Sequence, residues 1–104
     1  MPIIQSYVAA SNAHDVKSIL ACFADDAVVH DENATRRGKI DIERWASETI
    51  DKYKFHFRPL SAEHRADETV VSMEVSGSVP GSPVTLDYRF SVVNEKISSL
   101  IIDS

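Results

Sequence analysis

Val84-Thr85-Leu86-Asp87-Tyr88-Arg89-Phe90-Ser91-Val92 is the stretch that decides how this chain folds. Apolar and polar residues alternate through it without a break. Successive side chains on a β-strand point to opposite faces, so the stretch reads as a strand with one face in a core and the other toward water. Leu86, Tyr88 and Phe90 belong to the inward set, and Asp87 shares the outward set with Thr85, Arg89 and Ser91. Two more segments carry the same period. Val71, Met73 and Val75 alternate with Ser72, Glu74 and Ser76, and Phe55 and Phe57 alternate with His56 and Arg58. Residues 77–83 contain two glycines and two prolines and form a loop. Asn94-Glu95-Lys96 is a tight turn into a last strand over 97–103, so 55–103 is predicted to be almost wholly strand and turn.

Toward the N-terminus the period lengthens to that of a helix. Ile4, Tyr7 and Val8 mark one face of a helix that starts near Pro2, a residue suited to a first turn. Asp15 is placed to cap a second helix, whose stripe is Val16, Ile19, Leu20 and Phe23, with Asp25-Asp26 ending it. Residues 27–31 form a short strand and 32–37 a turn or edge strand. Gly38 precedes a third helix over 40–53, with Ile42, Trp45, Ala46, Thr49 and Tyr53 along its core side. Helices first and antiparallel strands after them define an α+β domain whose helices cover one face of the sheet.

The chain has 104 residues, of which 43% are hydrophobic, enough for one domain with its own core. Its net charge of −5 argues against nucleic acid, because phosphate binding needs a basic face. Arg36, Arg37 and Lys39 are the one basic cluster, and Glu32, Asp41 and Glu43 surround it. A single cysteine, Cys22, excludes an internal disulfide and reads as a small buried hydrophobe. No export signal and no apolar run of membrane-spanning length is visible, so a cytoplasmic location away from membranes is expected. On that reading the sequon Asn33-Ala34-Thr35 is accidental. The four histidines lack ligand spacing, so no metal site is expected. No glycine-rich phosphate loop is present.

Several segments resemble one family. They are Tyr7-Val8-Ala9-Ala10 with His14-Asp15-Val16, Phe23-Ala24-Asp25-Asp26-Ala27-Val28-Val29-His30-Asp31, Gly38-Lys39, and the late pair Tyr88-Arg89-Phe90 and Lys96-Ile97. Over nearly its whole length the chain is similar to the SnoaL-like branch of the nuclear transport factor 2-like superfamily, which includes polyketide cyclases and ketosteroid isomerase. The resemblance implies a cone-shaped, curved antiparallel sheet wrapped around three N-terminal helices and open at one end to an apolar pocket. It also implies a small apolar ligand, no cofactor and a homodimer formed through the outer face of the sheet. A shared fold does not by itself carry a reaction.

Asp31 is the leading candidate for chemistry. The resemblance makes it a general base, since isomerase-like members place an aspartate at the end of this strand. Ala27, Val29 and Asp31 share one face and Val28 and His30 the other, and the strand alone leaves open which set points inward. Tyr7 lies on the apolar stripe of the first helix, where the resemblance implies a hydrogen-bond donor to a developing oxyanion. Trp45 closes the core under the third helix and, with Leu86 and Tyr88, is expected to reach the ligand. Asp87 does not fit the family's second acid, because aligning the aromatic-Arg-Phe stretch puts that acid at Leu86. A shift of one residue turns a side chain to the other face. The readings are a cofactor-independent isomerase, cyclase or dehydratase, and a non-catalytic binding or dimerisation module of the same fold.

Overall fold

A computed structural model describes residues 2–103. Three helices and six strands follow in the order α1 (Pro2–Asn12), α2 (Val16–Ala21), β1 (Phe23–Asp31), β2 (Ala34–Arg37), α3 (Gly38–Tyr53), β3 (His56–Arg65), β4 (Glu68–Ser76), β5 (Val84–Val93) and β6 (Lys96–Asp103). The strands form one curved sheet in the order β2-β1-β6-β5-β4-β3. The helices fill its concave side. The expected α+β cone is the observed architecture.

One pairing departs from the all-antiparallel reading. β1 lies parallel to β6, with Val29 opposite Leu100 and His30 opposite Ile101, while every other neighbour is antiparallel. Nothing local signals such a contact, because parallel neighbours need a long crossover rather than a hairpin. Here that crossover runs from β2 through α3 and the three strands that follow.

The second departure concerns the end of α2. The helix stops at Ala21, and Phe23, placed by its spacing on the helical stripe, begins β1. Asp25 and Asp26 therefore lie within β1, in a bulged stretch between the Phe23 and Val28 pairings, and do not terminate the helix. The helix ends early because its last carbonyls are taken from outside. Lys39 Nζ donates to the Leu20 carbonyl at 2.8 Å and Lys96 Nζ to the Ala21 carbonyl at 2.7 Å. Phe23 is buried in either geometry, so its hydrophobicity could not separate the two. The predicted cap is present, with Asp15 accepting from the Ser18 backbone N–H at 3.1 Å.

The alternation in β5 holds. Tyr88 and Phe90 are buried, Leu86 is half-buried on the inner face, and Asp87 is exposed on the outer one. Val29 and Ala27 are fully buried, which settles the parity of β1 and puts Asp31 on the inner side. Two devices hold the open end of the cone. Asn12 clasps the edge strand β3, accepting from the Phe57 N–H at 2.7 Å and donating to the Phe57 carbonyl at 2.9 Å. Gly77 passes against the C-terminus of α3, where its φ is +122° and a Cβ would sit 2.6 Å from the Lys54 carbonyl oxygen. Ser78 N–H then donates to the Tyr53 carbonyl at 2.7 Å, which fixes the β4–β5 loop over the cavity below it.

Candidate active site

The cone holds a cavity of about 170 Å³, partly open to solvent, between the helices and the inner sheet face. Every element but β2 reaches it or its rim, and no single segment of the chain defines it. α1 supplies Tyr7 and Ser11, the end of β1 and the turn after it supply Asp31 and Glu32, and α3 supplies Trp45, Thr49 and Tyr53. Phe57, Leu86 and Tyr88 form the sheet wall, and Val79 and Pro80 of the β4–β5 loop close one side. All five residues expected at the site, Asp31, Tyr7, Trp45, Leu86 and Tyr88, line this one cavity.

Asp31 is held at the cavity wall by α3. The indole N–H of Trp45 donates to its Oδ2 at 3.0 Å, a contact made across 14 residues of chain. Burial raises the pKa of this carboxyl, the Trp45 hydrogen bond lowers it in part, and the neighbouring Glu32 charge raises it further. Arg36 donates from Nη1 to the Asp31 carbonyl oxygen, and its charge and the Glu32 backbone N–H lower the pKa of the carboxyl in smaller measure. Among the described residues no ion pair includes the Asp31 carboxylate.

Two buried phenols stand near it. Tyr7 is 2% exposed and packs edge-on against Phe23 and Phe90, with ring centroids 5.9 and 5.5 Å away. Burial drives its pKa upward, the Ser11 hydroxyl one turn along α1 offsets part of this, and the Asp31 charge adds to it. Tyr88 is shifted the same way by burial and then by Tyr7 and Asp31. Both hydroxyls therefore stay protonated through the physiological range and can donate hydrogen bonds. Tyr88 was expected as a ligand contact. Its ring stands beside that of Tyr7, their centroids 6.5 Å apart.

The rim is polar. Tyr53 donates its hydroxyl to Glu32 Oε2 at 2.6 Å, and Lys52 Nζ lies 3.4 Å from the same oxygen. Arg36 Nη2 is 3.8 Å from Glu32 Oε1. The Tyr53 hydrogen bond is the main cause that lowers the Glu32 pKa, followed after burial by the two cations. Sequence reasoning missed Glu32 and the loop residues Val79 and Pro80. Tyr53 stood on the α3 stripe and Ser11 four residues from Tyr7, so their inward placement had a signal. Glu32 had none, because a turn residue shows no periodicity.

The other singled-out residues lie elsewhere. Asp87 does not line the cavity. Cys22 is buried, with Sγ 3.4 Å from the Ser18 carbonyl, and burial raises its pKa. His14 Nε2 donates to the Phe55 carbonyl at 2.7 Å, and His56 is exposed. Among the described residues, no three His, Cys, Asp or Glu side chains converge as a metal site would require, and no helix is long and apolar enough to cross a membrane.

Comparison with known proteins gives one family. Residues 4–99 match the model of the SnoaL-like domain. A Sinorhizobium meliloti protein described as a polyketide cyclase is similar over 99% of this chain and 94% of its own, at 35% identity and a TM-score of 0.95. The epoxide hydrolase/cyclase-like enzyme SalBIII of salinomycin pyran-ring formation covers 98% of this chain and 87% of its own, at 17% identity and a TM-score of 0.86. A ketosteroid isomerase-like fold from Catenulispora acidiphila, solved in complex with trimethylamine, covers 98% and 84% at 20% identity and a TM-score of 0.85. At those two identities the likeness is one of fold. No functionally curated protein matches the chain.

Proposed function

The chain belongs to the SnoaL-like domain family, and on that premise we propose that its cavity binds one compact small molecule and moves a proton on it, with Asp31 as general base. One observation carries this reading. A carboxylate without a direct ion pair among the described residues is aimed by an indole N–H in an aromatic cavity that also holds two protonated phenols. A base needs a proton affinity above that of an ordinary carboxylate, and burial supplies it. The phenols would donate to the oxyanion that forms when a proton leaves the carbon beside a carbonyl. Isomerisation, cyclisation and dehydration all begin with that step. The polyketide cyclase description of the Sinorhizobium relative supports the same class of reaction.

The cavity size narrows the substrate. A cavity of about 150 Å³ accommodates benzene, so a volume near 170 Å³ seats a ring-sized portion of a substrate, with the rest toward the open end. The test works across a series of ring sizes. Small cyclic ketones are held in deuterated buffer with the protein, and loss of the α-proton signal is followed by NMR. The expected result is saturable, protein-dependent exchange for at least one ring-sized ketone. Saturable binding without exchange for the whole series would instead favour the non-catalytic binding module.

A homodimer through the outer sheet face belongs to the same proposal. Arg89 is neutralised there by Glu68 at 3.2 Å and Asp103 at 3.2 Å. Val70 and Ile101 lie opposite it on the neighbouring strands, with Ser72, Ser91 and Ser99 further along the same face, and such a face can pair with itself across a two-fold axis. Sedimentation equilibrium is expected to show twice the chain mass. A monomer at high micromolar concentration would remove this part of the proposal.

A further inference from the structure

We propose that the ligand of this cavity carries a positive charge, as a compact tertiary or quaternary ammonium group. The inference rests on reading the cavity as a ligand site, but not on Asp31 acting as a base.

The charges of the lining have one sign. Among the described residues, Asp31 and Glu32 line the cavity, and no lysine, arginine or histidine does. Glu32 is already satisfied by Tyr53, Lys52 and Arg36. Asp31 has no ion-pair partner among the described residues: neutral N–H groups of Trp45 and the Glu32 backbone serve it, and the Arg36 guanidinium, whose charge reaches it only through space, bonds the Asp31 backbone carbonyl and pairs with Glu32. A partly buried carboxylate without a direct ion pair favours taking up a proton or a cation.

The walls suit a cation equally well. Tyr7, Trp45, Tyr53, Phe55, Phe57 and Tyr88 bring aromatic rings to the lining from both helices and sheet. Aromatic rings attract cations through their quadrupole, and aromatic cages around quaternary ammonium groups use that attraction. An ammonium that carries methyl groups is weakly hydrated, so moving it out of water costs less than moving a bare ammonium. A cavity of about 170 Å³ holds such a head group with a short tail. An anion of the same size would meet two carboxylates and no fixed positive charge. The net charge of −5 adds long-range attraction for cations.

The charge can be isolated from the shape. Choline, its neutral tert-butyl analogue with carbon in place of the quaternary nitrogen, and the carboxylate of the same skeleton are titrated against the protein. Trp45 is the single tryptophan of the chain and lines the cavity, so its fluorescence reports occupancy. The expected order is choline tightest, by roughly tenfold or more over the neutral analogue, and the carboxylate weakest. In Asp31→Asn, checked for folding by its melting curve, the advantage of choline should shrink to the small part the rings supply. If the neutral analogue binds as tightly as choline, the inference is overturned and the cavity remains a ligand site. An undiminished choline preference in Asp31→Asn also overturns it, since the cation would then sit elsewhere. If none of the three binds, by fluorescence or by thermal shift, the inference is overturned, and the ketone series alone decides the ligand-site reading.

Discussion

Replacing Asp31 by asparagine is expected to slow the proton-exchange reaction by about 10²- to 10⁴-fold, the usual contribution of a positioned base, and to raise rather than lower the melting temperature at neutral pH. The fold should survive, because the amide has the same shape and its oxygen can still accept from the Trp45 indole 3.0 Å away. The stability effect follows from the direction of the Asp31 shift. Burial places its folded-state pKa above the unfolded value. Below the unfolded pKa both states are protonated and the full stability is present. As pH rises through the raised pKa, the folded protein must carry a desolvated charge that the unfolded chain keeps in water, and stability falls. The asparagine variant escapes that loss, so the two melting curves should separate above the ordinary carboxylate range and converge in acid. In the wild type the exchange rate should rise with pH across the same window, since the base works only when ionised. Wild-type exchange in the variant would rule out the mechanism. A variant less stable than wild type at neutral pH, with its deficit vanishing in acid, would show that the ionised Asp31 is a stabilising group instead.

The pair Tyr7→Phe and Tyr88→Phe carries the second largest expected effect. Removing one oxyanion donor from a preorganised site costs about 10²- to 10³-fold in rate. Here two phenols share one cavity with ring centroids 6.5 Å apart. Each single variant should therefore lose less than Asp31→Asn, because the remaining hydroxyl can still reach a developing charge. The double variant should lose about 10²- to 10³-fold, more than the two single losses multiplied, because only then is the oxyanion left without a donor. The loss should appear in kcat with KM little changed, since the donors act on charge that exists only in the transition state. Losing the Ser11 contact of Tyr7 should cost on the order of 1 kcal/mol in stability, too little to unfold the chain. Wild-type exchange in the double variant would leave the tyrosines as core residues whose hydroxyls have no part in the chemistry.

The order of elements, the inward face of β5 and the outward Asp87 were legible because each depends on neighbours two to four residues apart. A period of two or 3.6 is written into the chain locally, and burying one face converts it directly into orientation. Tyr7 was legible for the same reason, through Ile4 and Val8. The parity of β1 was not, since Val29 and Val28 are equally apolar and β1 alone cannot say which faces the core. Only the packing of Val29 against the helices decided it, and Asp31 with it. The end of α2 also escaped local reading, because it is set by Lys39 and Lys96, which come from other parts of the chain.

What the sequence by itself determined is an acidic α+β domain with its helices on one face of a strand-rich half, Tyr7 inside it and Asp87 outside. What only the tertiary structure decided is the site. The parallel β1–β6 pairing joins β1 and β2 to the sheet, Trp45 reaches Asp31, Tyr53 reaches Glu32 across 21 residues, and the cavity of about 170 Å³ has no basic side chain among the described residues of its wall. Each of these is a long-range contact between side chains that no local period relates. Their rotamers and the space between them are set by the packing of all the elements at once.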